Sequence, residues 1–162
     1  MSDPTPHIKL RPYHASDGAS LARLFRASVQ TLAKEDYTTA QRLAWAPDAM
    51  DAEKFAKRCA AKETWIAEIE DRIAGFSDLE PDGHIDMLYV HPDFHRQGVA
   101  RALLEHIEAR ARTLDLRRLY TEASITARPV FEAQGFRVIV PQLVTLRGES
   151  MTNYRMEKRL HP

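Results

Sequence analysis

The spacing of apolar residues along the chain alternates between two periods. Between Ser16 and Tyr37, Leu21, Leu24, Phe25, Val29 and Leu32 recur every three or four residues. That stripe predicts an amphipathic helix, with Ser16 or Asp17 as its cap. Two shorter helical stretches follow at 38–46 and 51–61, split by Pro47. The period then falls to two. "TWIAEIE" (64–70), "RIAGFSDLE" (72–80) and "HIDMLYV" (84–90) predict three strands, and their short connections predict an antiparallel meander. In the third strand, alternation places His84, Asp86, Leu88 and Val90 on one face and Ile85, Met87 and Tyr89 on the other. Helical spacing returns at Val99, Leu103, Ile107, Ala111 and Leu114, an apolar face directed at the core. Arg101–Glu105 and Glu108–Arg112 are i, i+4 pairs on its outer side.

The remaining elements are a short strand at 8–13, a strand at 117–124 and a short helix at 126–134 stopped by Gly135. A closing hairpin runs through 136–148 and 150–160 around Arg147-Gly148-Glu149. The predicted class is α/β (α+β): one domain over 1–162, with a mixed, mostly antiparallel sheet of about six to seven strands flanked by helices.

Composition narrows the function. Acidic and basic residues number 23 each, so bulk charge draws the chain to neither nucleic acid nor an anionic membrane. Arg110, Arg112, Arg117 and Arg118 are interleaved with acids and lack an aromatic platform, so nucleic acid is not an expected partner. The single cysteine, Cys59, excludes an internal disulfide and a cysteine-rich zinc site, and is expected inside a helix as a small apolar residue. Seven histidines are scattered without helical pairing, so no metal is expected. "MSDPTPHIKL" has no apolar signal core, and no stretch approaches a membrane span. The expected address is cytoplasmic.

One stretch carries chemistry. In "VHPDFHRQGVARALLEHI" (90–107) a strand breaks at a proline, and Arg96, Gln97 and Gly98 stand at the mouth of the next helix. A helix N-terminus exposes backbone N–H groups and partial positive charge, which suits phosphate. Gly98 permits close backbone approach, Ala100 keeps the next position small, and Arg96 and Gln97 add a charge and an amide. The stretch reads as a pyrophosphate cradle or as a plain turn. It is neither a P-loop nor a dinucleotide fingerprint, because Gly-Lys-Ser/Thr and the three-glycine spacing are both missing.

"LYVHPDFHRQGVARALLEHIE" resembles the acetyl-CoA-binding segment of the GCN5-related N-acetyltransferases (GNAT). That family's Gln/Arg-x-x-Gly-x-Gly/Ala pattern falls on His95, Arg96, Gln97, Gly98, Val99 and Ala100, with histidine departing at the first position. "SITARPVFEAQGF" resembles the family's second signature, with Ser124, Ala127, Val130, Phe131, Glu132, Gly135 and Phe136 in register. Ser124 replaces the asparagine that usually bonds the pantetheine arm, and Phe131 replaces the tyrosine often used as general acid. The ending "RGESMTNYRMEK" is similar to one bacterial branch of the family.

The resemblance implies a metal-free transfer of acetyl from acetyl-CoA to a primary amine of a small molecule or protein, by direct attack on the thioester. It implies cofactor contacts from Leu88, Tyr89 and Val90, whose backbone would face the thioester oxygen. Further contacts are implied from His95, Arg96, Gln97, Gly98, Val99, Ala100 and Arg101, and from Ser124 and Phe131. Expected partners are the amine and, in a homodimer, a second copy of the chain.

An attacking amine must be neutral, and an amine of lysine type has a pKa of about 10.4, so a base is useful. Family members often carry glutamate where His84 stands. His84, with a reference value of about 6.5, and Asp86 beside it are the candidates for base. Tyr154, Tyr89 or water is the candidate acid in place of Phe131. The acceptor pocket implied by the family is built from the first helices and the last hairpin, where Tyr37, Trp45 and Arg147 lie. The alternative is a non-catalytic acyl-CoA-binding module, which the absent tyrosine and asparagine keep open.

Overall fold

The computed structural model describes residues 7–160, so residues 1–6 of the N-terminal stretch lie outside it. Strand β1 (Lys9–Pro12) leads into helices α1 (Gly18–Leu32), α2 (Thr39–Trp45) and α3 (Ala52–Ala60). Next come β2 (Glu63–Ile69), β3 (Arg72–Leu79), β4 (His84–Ile85) and β5 (Leu88–Val90), then α4 (Val99–Thr113). The chain closes with β6 (Arg118–Ser124), α5 (Arg128–Ala133), β7 (Arg137–Leu146) and β8 (Glu149–Arg159). The strands form two four-stranded sheets, ordered β1-β2-β3-β5 and β4-β6-β8-β7. All pairs are antiparallel except β4–β6.

The helical stripes bury as their spacing requires. Leu21, Leu24, Phe25 and Val29 pack with Phe55 and Cys59 of α3 against Ile66 and Phe76 of the first sheet and against Met87, which precedes β5. On the other face of that sheet Val99 and Leu103 of α4 meet Ala67, Ile69 and Ala74. Leu114 does not join this core: it sits at the C-cap of α4 and is 45% exposed. Cys59 is fully buried, and burial pushes its thiol up to about 12.

At α1 the cap falls on one of the two residues the sequence offers, without the usual side-chain bond. Asp17 is the N-cap, but its carboxylate accepts from the His14 N–H (2.8 Å) and pairs with Arg11, and it makes no cap bond to α1. At α3 the cap is conventional: Asp51 accepts from the Glu53 and Lys54 N–H groups at 3.0 and 3.1 Å. Asp51→Ala is expected to lower unfolding free energy by about 1 kcal/mol in a urea titration. No change in midpoint would show that α3 is held by packing alone.

The predicted strand 84–90 is corrected to two strands in two sheets. β4 pairs with β6, β5 pairs with β3, and Asp86 and Met87 bridge them. The alternation slips by one residue there. Ile85 and Leu88 both pack in the cluster with Leu104 and Ile107 of α4. Asp86 reaches Arg58 on α3, and its neighbour Met87 packs with Phe25 and Phe55 on that same side. The face His84–Asp86–Leu88–Val90 is therefore not continuous.

Candidate active site

The break between β4 and β5 leaves Asp86 and Met87 outside both sheets. Side chains supply partners there. Asp78, fully buried on β3, accepts from the Asp86 N–H (2.7 Å) and the Met87 N–H (3.1 Å). Ser77 Oγ donates to the Met87 carbonyl (2.7 Å), and Thr121 Oγ1 donates to the Ile85 carbonyl (2.8 Å). Burial pushes the Asp78 carboxyl up to about 7, against the opposing pull of Lys62 and of the Asp86 N–H. Sequence reading missed this residue; its signal is an acid inside the apolar run Ile73–Leu79.

Beside β5 lies a cleft of about 350 Å³. Its walls include Leu88, Tyr89, Val90, His95, Arg96, Gly98, Val99, Ala100, Arg101 and Ser124, which brings together ten of the residues singled out above. Gln97 stands beside it with its amide donating to the Asp93 carbonyl, and Phe131 is buried against Phe136 in the core. Ser28 and Leu32 of α1, which no local sequence pattern marks for that role, also line the cleft, as does Trp45, which the family resemblance assigns to the acceptor pocket.

At one end Gly98 is the N-cap of α4, in the left-handed region at φ +85°, and Arg96 before it also has positive φ (+61°). The first bond of the helix runs from the Ala102 N–H to the Gly98 carbonyl, and no side chain caps α4. The N–H groups at 99–101 are thus free of intrahelical partners. Gly75 on β3 makes the close packing beneath them possible: a Cβ there would lie 2.7 Å from Val99 Cγ1 and 2.9 Å from the Tyr89 carbonyl oxygen.

At the other end the Trp45 indole N–H donates to the Tyr89 hydroxyl (3.2 Å). Desolvation pushes the Tyr89 phenol up from its ordinary value, so it stays protonated at neutral pH. Ser124 Oγ accepts from the Ala127 N–H (3.0 Å) and keeps its own hydrogen to give. Tyr37 is buried as a stitch, donating to the Thr152 carbonyl and accepting from the Ile125 N–H. Arg147 donates to the Ala44 carbonyl, tying the β7–β8 turn to α2.

His84, Asp86 and Tyr154 are not among the residues lining this cleft. His84 lies between Glu80 and Glu122; burial opposes its charge, but the two carboxylates outweigh that and raise its pKa. Burial likewise opposes the Asp86 charge, and hydrogen bonds from Arg58 and Lys62 outweigh it, so this carboxyl is held below its usual range. Tyr154 lies under the Arg128 guanidinium, 4.6 Å from ring centre to Cζ.

The family model described as "Acetyltransferase (GNAT) domain" matches residues 33–158. The chain belongs to the GNAT acetyltransferase family. It is similar to the uncharacterized N-acetyltransferase YafP of Escherichia coli (strain K12), with 35% identity over 93% of this chain and 95% of that one. A crystal structure of a GCN5-related N-acetyltransferase from Rhodopseudomonas palustris matches this GNAT chain with a TM-score of 0.91, at 38% identity over 99% of each chain. The fold also matches yncA of Salmonella typhimurium, a putative acetyltransferase solved with acetyl-CoA (TM-score 0.74, 14% identity, 96% and 95% of the chains). Among the described residues this GNAT domain has no metal-ligating group of three or more side chains, and no helix long and apolar enough to cross a membrane.

Proposed function

We propose that the protein transfers acetyl from acetyl-CoA to a primary amine of a small molecule or protein, the amine attacking the thioester directly. The observation that carries this reading is the uncapped, glycine-opened start of α4 at one end of an otherwise mostly apolar cleft. Free N–H groups with Arg96 and Arg101 suit the diphosphate of coenzyme A, and the apolar walls suit its pantetheine arm. Ser124 Oγ gives its hydrogen to that arm. The His91 N–H bonds the Ala74 carbonyl, so ladder alternation turns the Val90 N–H away from β3, where it can meet a thioester oxygen.

Tyr89 rather than Tyr154 is the proton donor in this reading, because it lines the cleft and already accepts from Trp45. Asp86 stays ionised beside two cations and His84 is held towards its charged form, so the amine loses its proton through water rather than to either directly. The reading is tested by thiol release from acetyl-CoA across a panel of amines. Tyr89→Phe is expected to lower kcat by on the order of 10²-fold with the KM for acetyl-CoA little changed. His84→Ala and Asp86→Ala are expected to cost less. Tight acetyl-CoA binding with no amine-dependent release would instead establish the non-catalytic acyl-CoA-binding module.

A further inference from the structure

We infer that Asp78 is a positioning residue whose buried carboxylate sets the width of the break between β4 and β5 and so aims the Leu88–Val90 backbone at the acyl end of the cofactor. The inference rests on the acetyl-transfer reading above. Ser77 and Asp78 of β3 hold Asp86 and Met87 in a shape that no ladder partner enforces, and Thr121 of β6 fixes the Ile85 carbonyl just before them. Asp78 has the largest part, because it grips two consecutive N–H groups at the point where the face slips. A charged acceptor suits two donors, and hydrogen bonds to an ionised group are the stronger kind. A neutral carboxyl keeps one good acceptor and turns an O–H against the second donor.

The groups facing Asp78 define its titration. Lys62 Nζ lies 3.9 Å away from the segment after α3, and Arg58 and Cys59 face it from α3 itself. Asp86 faces it from the break itself, Tyr89 from β5, and Glu80 from just past the end of β3. Burial dominates and pushes the carboxyl up to about 7. Protonation below that pH is predicted to loosen the grip on Asp86 and Met87. The sign for stability is opposite: a carboxyl raised in the folded state favours folding below its ordinary pKa, and that contribution fades as pH rises through about 7.

The test has two arms. In cofactor-free protein, the amide proton signals of Asp86 and Met87 are followed by NMR from pH 5.5 to 8.5. Both are expected to move together with a midpoint near 7, and Asp78→Asn is expected to abolish the movement. In the second arm, Asp78→Asn is expected to lower kcat by about 10²-fold, since small misplacements at a reacting centre cost that much. It is also expected to flatten the acid limb of the pH profile. Should Asp78→Asn fail to fold, Ser77→Ala and Thr121→Val keep the carboxylate and each is expected to lower kcat.

Asp86 and Met87 amide signals that Asp78→Asn leaves in place overturn the inference, as do wild-type kinetics in a folded Asp78→Asn or in both substitute variants. A wild-type protein that acetylates no amine sinks the acetyl-transfer reading alone. The positioning claim is then read from calorimetry, where Asp78→Asn is expected to weaken acetyl-CoA about tenfold, and unchanged affinity overturns it.

Discussion

Gly98→Asp is expected to remove measurable acetyl-CoA affinity while leaving the chain folded. The position is left-handed, at φ +85°, and aspartate is among the residues that enter that region most readily. Space is not limiting, since the nearest atom to a new Cβ is Ile8 Cδ1 at 4.0 Å. An acidic N-cap even favours the free helix. The loss comes from charge. Two like charges about 4 Å apart at an effective dielectric of ~20 repel by about 4 kcal/mol, close to three decades in Kd. Gly98→Ala separates this from strain, because it adds only the left-handed penalty of about 1 kcal/mol, which falls on folding stability and leaves Kd little changed. Isothermal titration reads both. Unchanged affinity in folded Gly98→Asp would place the phosphates elsewhere.

Gly75→Val is expected to damage the scaffold directly beneath the cleft. Its Cβ would overlap Val99 Cγ1 at 2.7 Å and the Tyr89 carbonyl oxygen at 2.9 Å, and the second of these is main chain that cannot swing aside. Overpacking of this kind costs about 1–3 kcal/mol. The relief available is to lift the first turn of α4 off β3, which also displaces the Gly98–Arg101 backbone. The expected result is a lower urea midpoint together with weaker acetyl-CoA binding in the protein that remains folded. Gly75→Ala should show the same pair of effects, smaller. A variant that melts like the wild type would show that α4 does not sit as close to β3 as described.

These two glycines mark what could and could not be read from the sequence. The uncapped start of α4 at Gly98 is legible because its neighbours in the chain are its neighbours in space, and the whole turn lies in one unbroken run. The stripe of α1 is legible for the same reason. Gly75 is not, since its close approach is to residues more than ten positions downstream. The strand at 84–90 was misread for a related cause. Two-residue alternation looks identical on either side of a one-residue slip, and the slip is fixed by Asp78, which belongs to another strand. The assignment of His84 and Asp86 depended on that face. Their ion-pair partners, Glu80 and Glu122 for one and Arg58 and Lys62 for the other, come from elements the local pattern does not connect. Family resemblance supplied the cofactor, whereas Trp45 beside Tyr89 needed three-dimensional placement.

Cys59 has a practical bearing on all of these measurements. Its sulfur is sealed between α1, α3 and the first sheet, and so little of it ionises near neutrality that a chromogenic disulfide reagent finds scant nucleophile on the native polypeptide. Colour developed in a continuous assay can therefore be counted as liberated coenzyme, without first mutating the enzyme.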